Sequence, residues 1–247
     1  MLKEFRADLH IHSCLSPCAE LEMSPLEIVK TAAGRGLDII ALTDHNSAEN
    51  IIAAQKAAVN TGLTVLAGME ITSAEEAHIL AFFEGTGGIM KLQEIVYEKL
   101  LPGENDEKRF GEQIVVNELD EVLEFNNRLL IGATTMSAQE IVSIVHSLGG
   151  LAVASHIDKE AFSVISQLGF IPPDLEFDAL EMSPNTDRAA AEGAFPDYSS
   201  FTWISSSDAH YLTDIGKRTT SFFMNEPTIA EMALAFKNLD GRRVEWK

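Results

Sequence analysis

Short apolar runs alternate with amphipathic stretches along this chain, and most are bounded by glycine, proline or a helix-capping residue. Residues 5–10 predict a first strand. Ser24-Pro25-Leu26-Glu27 reads as a capping box with proline at the first helical position, starting a helix that Gly36 stops. The unbroken apolar run over 38–43 is what a parallel strand buried on both faces requires. A helix over 50–60, strands over 64–69 and 78–83, and an amphipathic helix over about 88–101 follow. Ser137-Ala138-Gln139-Glu140 is a second capping box, opening a helix that Gly149-Gly150 ends, and 151–155 is the next strand. Later strands are predicted over 179–182, 203–206 and 219–224, with Thr228 capping a last helix. Strand and helix taking turns predict an α/β fold with a parallel sheet. The polar tract 102–110 breaks the pattern, and up to about Thr135 the periodicity is helical or irregular, so a mainly helical insertion over 102–135 is expected. No internal repeat or long linker divides the 247 residues, which predicts one domain.

Composition narrows the function classes. At 46% hydrophobic the chain can bury one large core. No apolar run reaches membrane-spanning length, and the N-terminus enters the first strand without a signal-like apolar segment, so a cytoplasmic protein without membrane contact is expected. With 18 basic and 38 acidic residues the formal charge is −20, which repels a polyphosphate backbone and disfavours long duplex nucleic acid. Bound divalent cations would offset that charge locally and attract a small anionic substrate. Cys14 and Cys18 are the only cysteines, too close in sequence for a disulfide to stabilise much; they read as reduced thiols, or Cys18 touches a metal.

Metal-binding side chains recur at the ends of the apolar runs. His10 and His12, at i and i+2 on a strand, face one side and can bind one ion together; Asp208 and His210 repeat that spacing after another strand. Asp44-His45, Glu70 and His156 end strands, and His78 begins one. His146 lies inside a helix and reads as structural.

Five motifs, Asp8-Leu9-His10-Ile11-His12-Ser13, Gly36-Leu37-Asp38-Ile39-Ile40-Ala41-Leu42-Thr43-Asp44-His45-Asn46, Gly68-Met69-Glu70, Ala154-Ser155-His156 and Ser207-Asp208-Ala209-His210, resemble the PHP (polymerase and histidinol phosphatase) superfamily in its own order. The resemblance implies a distorted (β/α)7 TIM-like barrel binding two or three divalent ions (Zn, Mn or Fe), and metal-dependent phosphoester hydrolysis with metal-activated water as nucleophile. By that likeness His10, His12, Glu70 and Asp208 hold one ion, and Glu70, His78 and His156 a second. His45 and His210 hold a third with one ligand from the loop after His12.

That loop departs from the family pattern: it reads Ser16-Pro17-Cys18-Ala19-Glu20, and Glu20 is favoured as the hard ligand over the soft Cys18. For the chemistry itself, Asp208 is the candidate proton relay, His210 a third-ion residue, and Arg218 a candidate phosphate clamp or a solvated loop charge. The expected substrate is a small phosphorylated metabolite, a nucleotide or a short oligonucleotide end. The rival readings are an amidohydrolase-type hydrolase of amide or ester bonds and a non-catalytic metal-stabilised module.

Overall fold

The computed structural model describes residues 1–246. The apolar runs become the strands of one sheet: β1 (Lys3–Ile11), β2 (Ile39–Leu42), β3 (Thr64–Thr72), β4 (His78–Phe83), β7 (Leu151–Ala154), β8 (Ala179–Met182), β9 (Trp203–Ser205), β10 (Thr220–Met224) and β11 (Arg243–Trp246). Between them lie β5 (Ile114–Val116) and β6 (Val122–Phe125), and the helices α1 (Pro25–Gly34), α2 (Ile51–Ala57), α3 (Thr86–Lys99), α4 (Glu107–Phe110), α5 (Ala138–Ser147), α6 (Val164–Leu168), α7 (Arg188–Ala194) and α8 (Ile229–Phe236). Both predicted capping serines act as caps: Ser24 Oγ accepts the Glu27 N–H, and Ser137 with Glu140 forms a full capping box.

The sheet runs in the order β11-β10-β1-β2-β3-β4-β7-β8-β9. The stretch after β9 returns to β1, where the Ala209 N–H donates to His10 O (3.1 Å) and the His12 N–H to Ala209 O (3.0 Å). The seven strands from β1 to β9 thereby form a nearly closed barrel, with β10 and β11 continuing the sheet outside it. Its distortion is one reversed strand: β4 is antiparallel to both β3 and β7, while the other neighbours in the ring are parallel. Only residues 73–77 join β3 to β4, too few for a crossover helix, so the two form a hairpin with Thr72 opposite His78. The reversal brings the start of β4 to the rim where its neighbours end.

Two cores follow from the two faces of the ring. Ala7, Leu9, Ile39, Ala41, Leu66, Leu80, Phe82, Leu151, Val153, Ala179 and Ile204 cluster inside the barrel with α8, without a residue from α1 to α7. The outer face, including Ile11, Ile40, Leu42, Ala67, Met69, Ile79 and Ala81, packs on the other helices. Leu9 and Ile11 therefore lie on opposite faces although two residues apart, because the β1–β2 register shifts between Asp8 and Ile11. This bulge puts His10 and His12 on the interior face.

The segment 102–135 is not mainly helical. It holds the four-residue α4 and the antiparallel β5–β6 hairpin, whose β-branched Ile114, Val115, Val116 and Val122 form runs too short to show a period of two. Asn117 Oδ1 makes the turn by accepting the Leu119 and Glu121 N–H groups (2.9 and 3.0 Å). Asn50 and Asn46 stitch the segment down through bonds to Ile114 O, Val116 N, Leu130 O and Gly132 O.

Gly68 sits two residues before Glu70, where an added Cβ would meet Leu42 O and Thr43 Cγ2, each at 2.7 Å. Gly68→Ala is expected to cost about 2 kcal/mol through backbone overpacking and to lower Tm by roughly 4–8 °C. Gly34→Ala, at an exposed helical position with nothing within 4 Å, is expected to leave Tm unchanged or raise it. Thermal unfolding of both variants checks the pair.

Candidate metal centre

The barrel interior delivers most of the site by parity. Glu70 lies on the face of Leu66, His78 on that of Leu80, and Glu181 on that of Ala179, each at the rim end of its strand. Two other residues reach the rim through unusual backbone: His156 (φ 26°) and Asp208 (φ 51°) adopt positive φ just after β7 and β9. Such conformations cost about 1–3 kcal/mol for non-glycine residues and turn the side chain away from its alternating direction.

Glu70 is the meeting point. Its Oε1 lies 3.0 Å from His78 Nδ1 and 3.3 Å from His156 Nε2. Oε2 lies 3.4 Å from both His10 Nε2 and His12 Nε2, and 3.2 Å from His45 Nδ1. Asp208 Oδ1 is 3.4 Å from the same two Nε2 atoms, which are 3.1 Å apart. His10 Nδ1 donates to Glu181 Oε2 (2.9 Å), which orients the ring and leaves Nε2 as the nitrogen that would meet an ion. Ser16 Oγ gives its one hydrogen to Asp44 Oδ1 (2.7 Å) and accepts from His12 Nδ1 (3.1 Å), which leaves His12 Nε2 a lone pair.

This arrangement fits a divalent cation. The separations among His10, His12, Glu70 and Asp208 match the edge of about 3.3 Å that a tetrahedral ion with bonds of about 2.0 Å imposes on its ligand atoms. In addition, His45 Nδ1 and His156 Nδ1 are buried without a hydrogen-bond partner.

The electrostatics agree. Burial opposes charge on Glu70, yet His78, His10 and His45 hold its carboxyl well below the usual carboxylate range. For Asp208 the same opposition is outweighed by His10 and His12. Burial, and then His210, pushes His12 down to about 4, and burial takes His45 well below an ordinary histidine, so both are neutral donors near pH 7. Burial also opposes charge on His10, but Glu181, Glu70 and Asp208 together hold that ring well above its ordinary value. Three buried carboxylates demand positive charge at this spot.

Among the described residues, the ligand atoms lying within 4.8 Å of one another fall into three groups: His10, His12 and Asp208; His45, Glu70 and His78; and His12, Cys18 and His45. His210 stacks on His12 (centroids 4.5 Å apart), with its Nδ1 bonded to Asp208 O (2.8 Å). Glu20 belongs to none of these groups. It is exposed, and its N–H is tied to His210 O, so Cys18 stands where a carboxylate was expected. Arg218, the candidate phosphate clamp, donates through Nε and a terminal nitrogen to Pro184 O (3.1 and 2.8 Å) and lines a groove with Glu4, Arg6 and Lys217.

Sequence reasoning missed Glu181 and Lys159. Glu181 had a signal, a carboxylate inside the apolar run Ala179–Met182; it is 1% exposed and also accepts the His156 N–H (3.2 Å). Lys159 had little: its ammonium reaches Asp208 Oδ2 only because residues 156–159 form a turn, with the Lys159 N–H on His156 O.

Comparison with known proteins matches this geometry to a lineage. The chain is 36% identical over 66 residues to a 5'-3' exoribonuclease of Haemophilus influenzae and 30% identical over 111 residues to an uncharacterized protein of Methanocaldococcus jannaschii. These alignments take in 27% and 42% of this chain, and 23% and 60% of the relatives. Among solved structures, the lesion-specific endonuclease Q of Pyrococcus furiosus superposes with a TM-score of 0.76 at 18% identity, over 98% of this chain and 58% of that one. A likeness at that identity shows the fold. The family model for the PHP domain matches residues 8–166, more than half of the sequence and six of the rim residues from His10 to His156, and the chain belongs to the PHP domain family.

Proposed function

We propose that this protein hydrolyses phosphoesters at the barrel rim, using two or three divalent ions held by His10, His12, His45, Glu70, His78, His156 and Asp208. The substrate class is a small phosphorylated molecule or the terminal phosphate of a nucleotide or short oligonucleotide. The observation that carries the reading is the division of Glu70, whose Oε1 faces His78 and His156 while Oε2 faces His10, His12 and His45. When bound, a pair of ions sharing one carboxylate supplies activated water and neutralises charge on a phosphoryl group.

The chain's own residues supply the rest. Glu181 orients His10, and Ser16 with Asp44 orients His12. Asp208, ionised near neutral pH, can accept a proton from the attacking water. Lys159, bonded to Asp208 and about two-fifths exposed, presents an ammonium to a phosphoryl oxygen. Phe162 stacks on His78 (centroids 4.7 Å apart, planes 16° apart) and is 44% exposed, which offers an aromatic face to a sugar or base beside the rim. The names of the Haemophilus and Pyrococcus proteins place nucleic acids among the substrates of similar proteins. This chain spans 23% and 58% of them, and its charge of −20 favours a short anionic end over a long duplex.

The test is a turnover screen over phosphomonoesters, nucleoside bisphosphates and short oligonucleotides, with Mn²⁺ and Zn²⁺ in turn. Glu70→Gln is expected to lower turnover at least about 100-fold, roughly 2.7 kcal/mol in the barrier, and to reduce the metal content measured by elemental analysis while circular dichroism stays unchanged. Turnover within about tenfold of wild type would remove Glu70 from the centre. Glu181→Gln is expected to weaken metal affinity by about 10–100-fold, read by chelator competition. Lys159→Met should raise KM for phosphomonoesters with metal content unaltered; an unchanged KM would return Lys159 to a purely structural pairing.

A further inference from the structure

We propose that Cys18, as a thiolate, is a zinc ligand at the corner of the centre between His12 and His45. The inference rests on the metal-centre reading above and adds a soft ligand to a set otherwise made of imidazole and carboxylate.

The loop after β1 is built to hold that sulfur in place. Asp44 takes the Ser13 N–H and Ser13 Oγ–H (both 2.6 Å) and the Ser16 Oγ–H (2.7 Å). Ser16 has then spent its only hydrogen, and its oxygen accepts from the His45 N–H and from His12 Nδ1, each at 3.1 Å. One hydroxyl thus touches both histidines that flank Cys18, and two residues later the Cys18 Sγ lies within 4.8 Å of a ligand nitrogen on each. The Ala19 N–H returns to Ser16 O (3.0 Å) and the Glu20 N–H goes to His210 O (3.0 Å), which closes the turn with Cys18 inside it.

A second, independent feature points the same way. His45 is 6% exposed and its Nδ1, 3.2 Å from Glu70 Oε2, makes no hydrogen bond, which an ion shared by these groups would explain. His12 presents only Nε2, because Nδ1 is held by Ser16, and that lone pair is shared with the His10 and Asp208 side of the site. His45 is accordingly the firmer imidazole partner of Cys18. Cys14 does not compete: it is buried, with its thiol on Ile114 O (3.6 Å).

The chemical consequence is an asymmetric centre. Around Glu70 and Asp208 the donors are oxygen and nitrogen, which accept Mn, Fe or Zn, whereas a thiolate with imidazole selects the softer Zn and disfavours Mn. Cys18 is exposed as a residue, while its partners His12 and His45 are buried.

The experiment loads the metal-free full-length protein with Co²⁺, measures bound cobalt by elemental analysis and records the absorption spectrum. Wild type should show a thiolate-to-cobalt charge-transfer band in the near ultraviolet, Cys18→Ser should lose it, and Glu20→Ala should keep it. In parallel, iodoacetamide labelling followed by peptide mass mapping should find Cys18 modified in metal-free protein and protected once Zn²⁺ is added, with Cys14 unmodified in both. Chelator competition should show at least about tenfold weaker Zn²⁺ binding in Cys18→Ser, with Mn²⁺ binding unaffected. Bound cobalt without the band in wild type, or a band that survives in Cys18→Ser, would overturn the assignment of Cys18 alone. Failure of wild type to bind cobalt or zinc at all would overturn the metal centre as well. Equal Tm values for the metal-free forms establish that the serine variant is folded.

Discussion

The structure turns on one buried carboxylate. Glu70 is 1% exposed, and five imidazoles lie within 3.4 Å of its two oxygens. An ionised carboxylate at such depth costs several kcal/mol unless positive charge or hydrogen bonds meet it. The fold gathers imidazoles from four separate segments to meet it, and most irregular features of the barrel serve that convergence. The reversed β4 delivers His78, the bulge in β1 delivers His10 and His12, and the left-handed backbone at residues 156 and 208 delivers His156 and Asp208. A regular parallel barrel with unbroken alternation would leave several of these side chains facing the outer helices.

Behind the donors stands a set of acidic anchors. Asp44 ties down the loop after β1, and Asp8 accepts the Ser207 and Gly216 N–H groups (3.0 and 2.7 Å), holding the segment that carries Asp208 and His210. Glu181 fixes His10 and the backbone of His156. These carboxylates are themselves costly: burial raises Asp8 to about 6, against the pull of its N–H donors. Their return is geometric, since a ligand set tolerates little rotation of an imidazole and each ring is locked through the nitrogen it does not present.

The β5–β6 hairpin belongs to the same scheme. Ile114 and Val116 are bonded to Asn50, and Ile114 N to Cys14 O, so the segment braces the very loop that presents Cys18. Leu15, Val115 and Leu130 give it a small core of its own beside the barrel. On the opposite side of the rim, Lys159 and Phe162 extend from the turn after His156, one paired with Asp208 and the other stacked on His78. A cationic and an aromatic group thus stand next to the donors on a body of net charge −20.

Most of the strands and helices (but not α6, α7 and β11), both capping serines and the strand ends carrying His10, His12, His45, Glu70, His78, His156, Asp208 and His210 were legible in the sequence. Each depends on near neighbours: hydrophobic period, a cap three residues from its partner, or i, i+2 spacing. The hairpin within 102–135 was not legible, because runs of three or four β-branched and apolar residues carry too little periodicity to outvote the polar residues around them. The seven-strand ring was legible only through the family resemblance, because its closure hangs on Ala209 pairing with residues nearly two hundred positions away, beyond the reach of local periodicity. Tertiary structure alone decided the placing of Glu181 and Lys159, and the difference between Cys18, which lies near His12 and His45, and Glu20, which does not. The last shows the reason most directly. Both residues sit in one short loop with the right chemistry to bind metal, and what separates them is the direction each side chain takes once Asp44, Ser16 and His210 have pinned the loop's backbone. Composition determines which donors a chain owns, but their distances are set by hydrogen bonds across the barrel that no local pattern encodes.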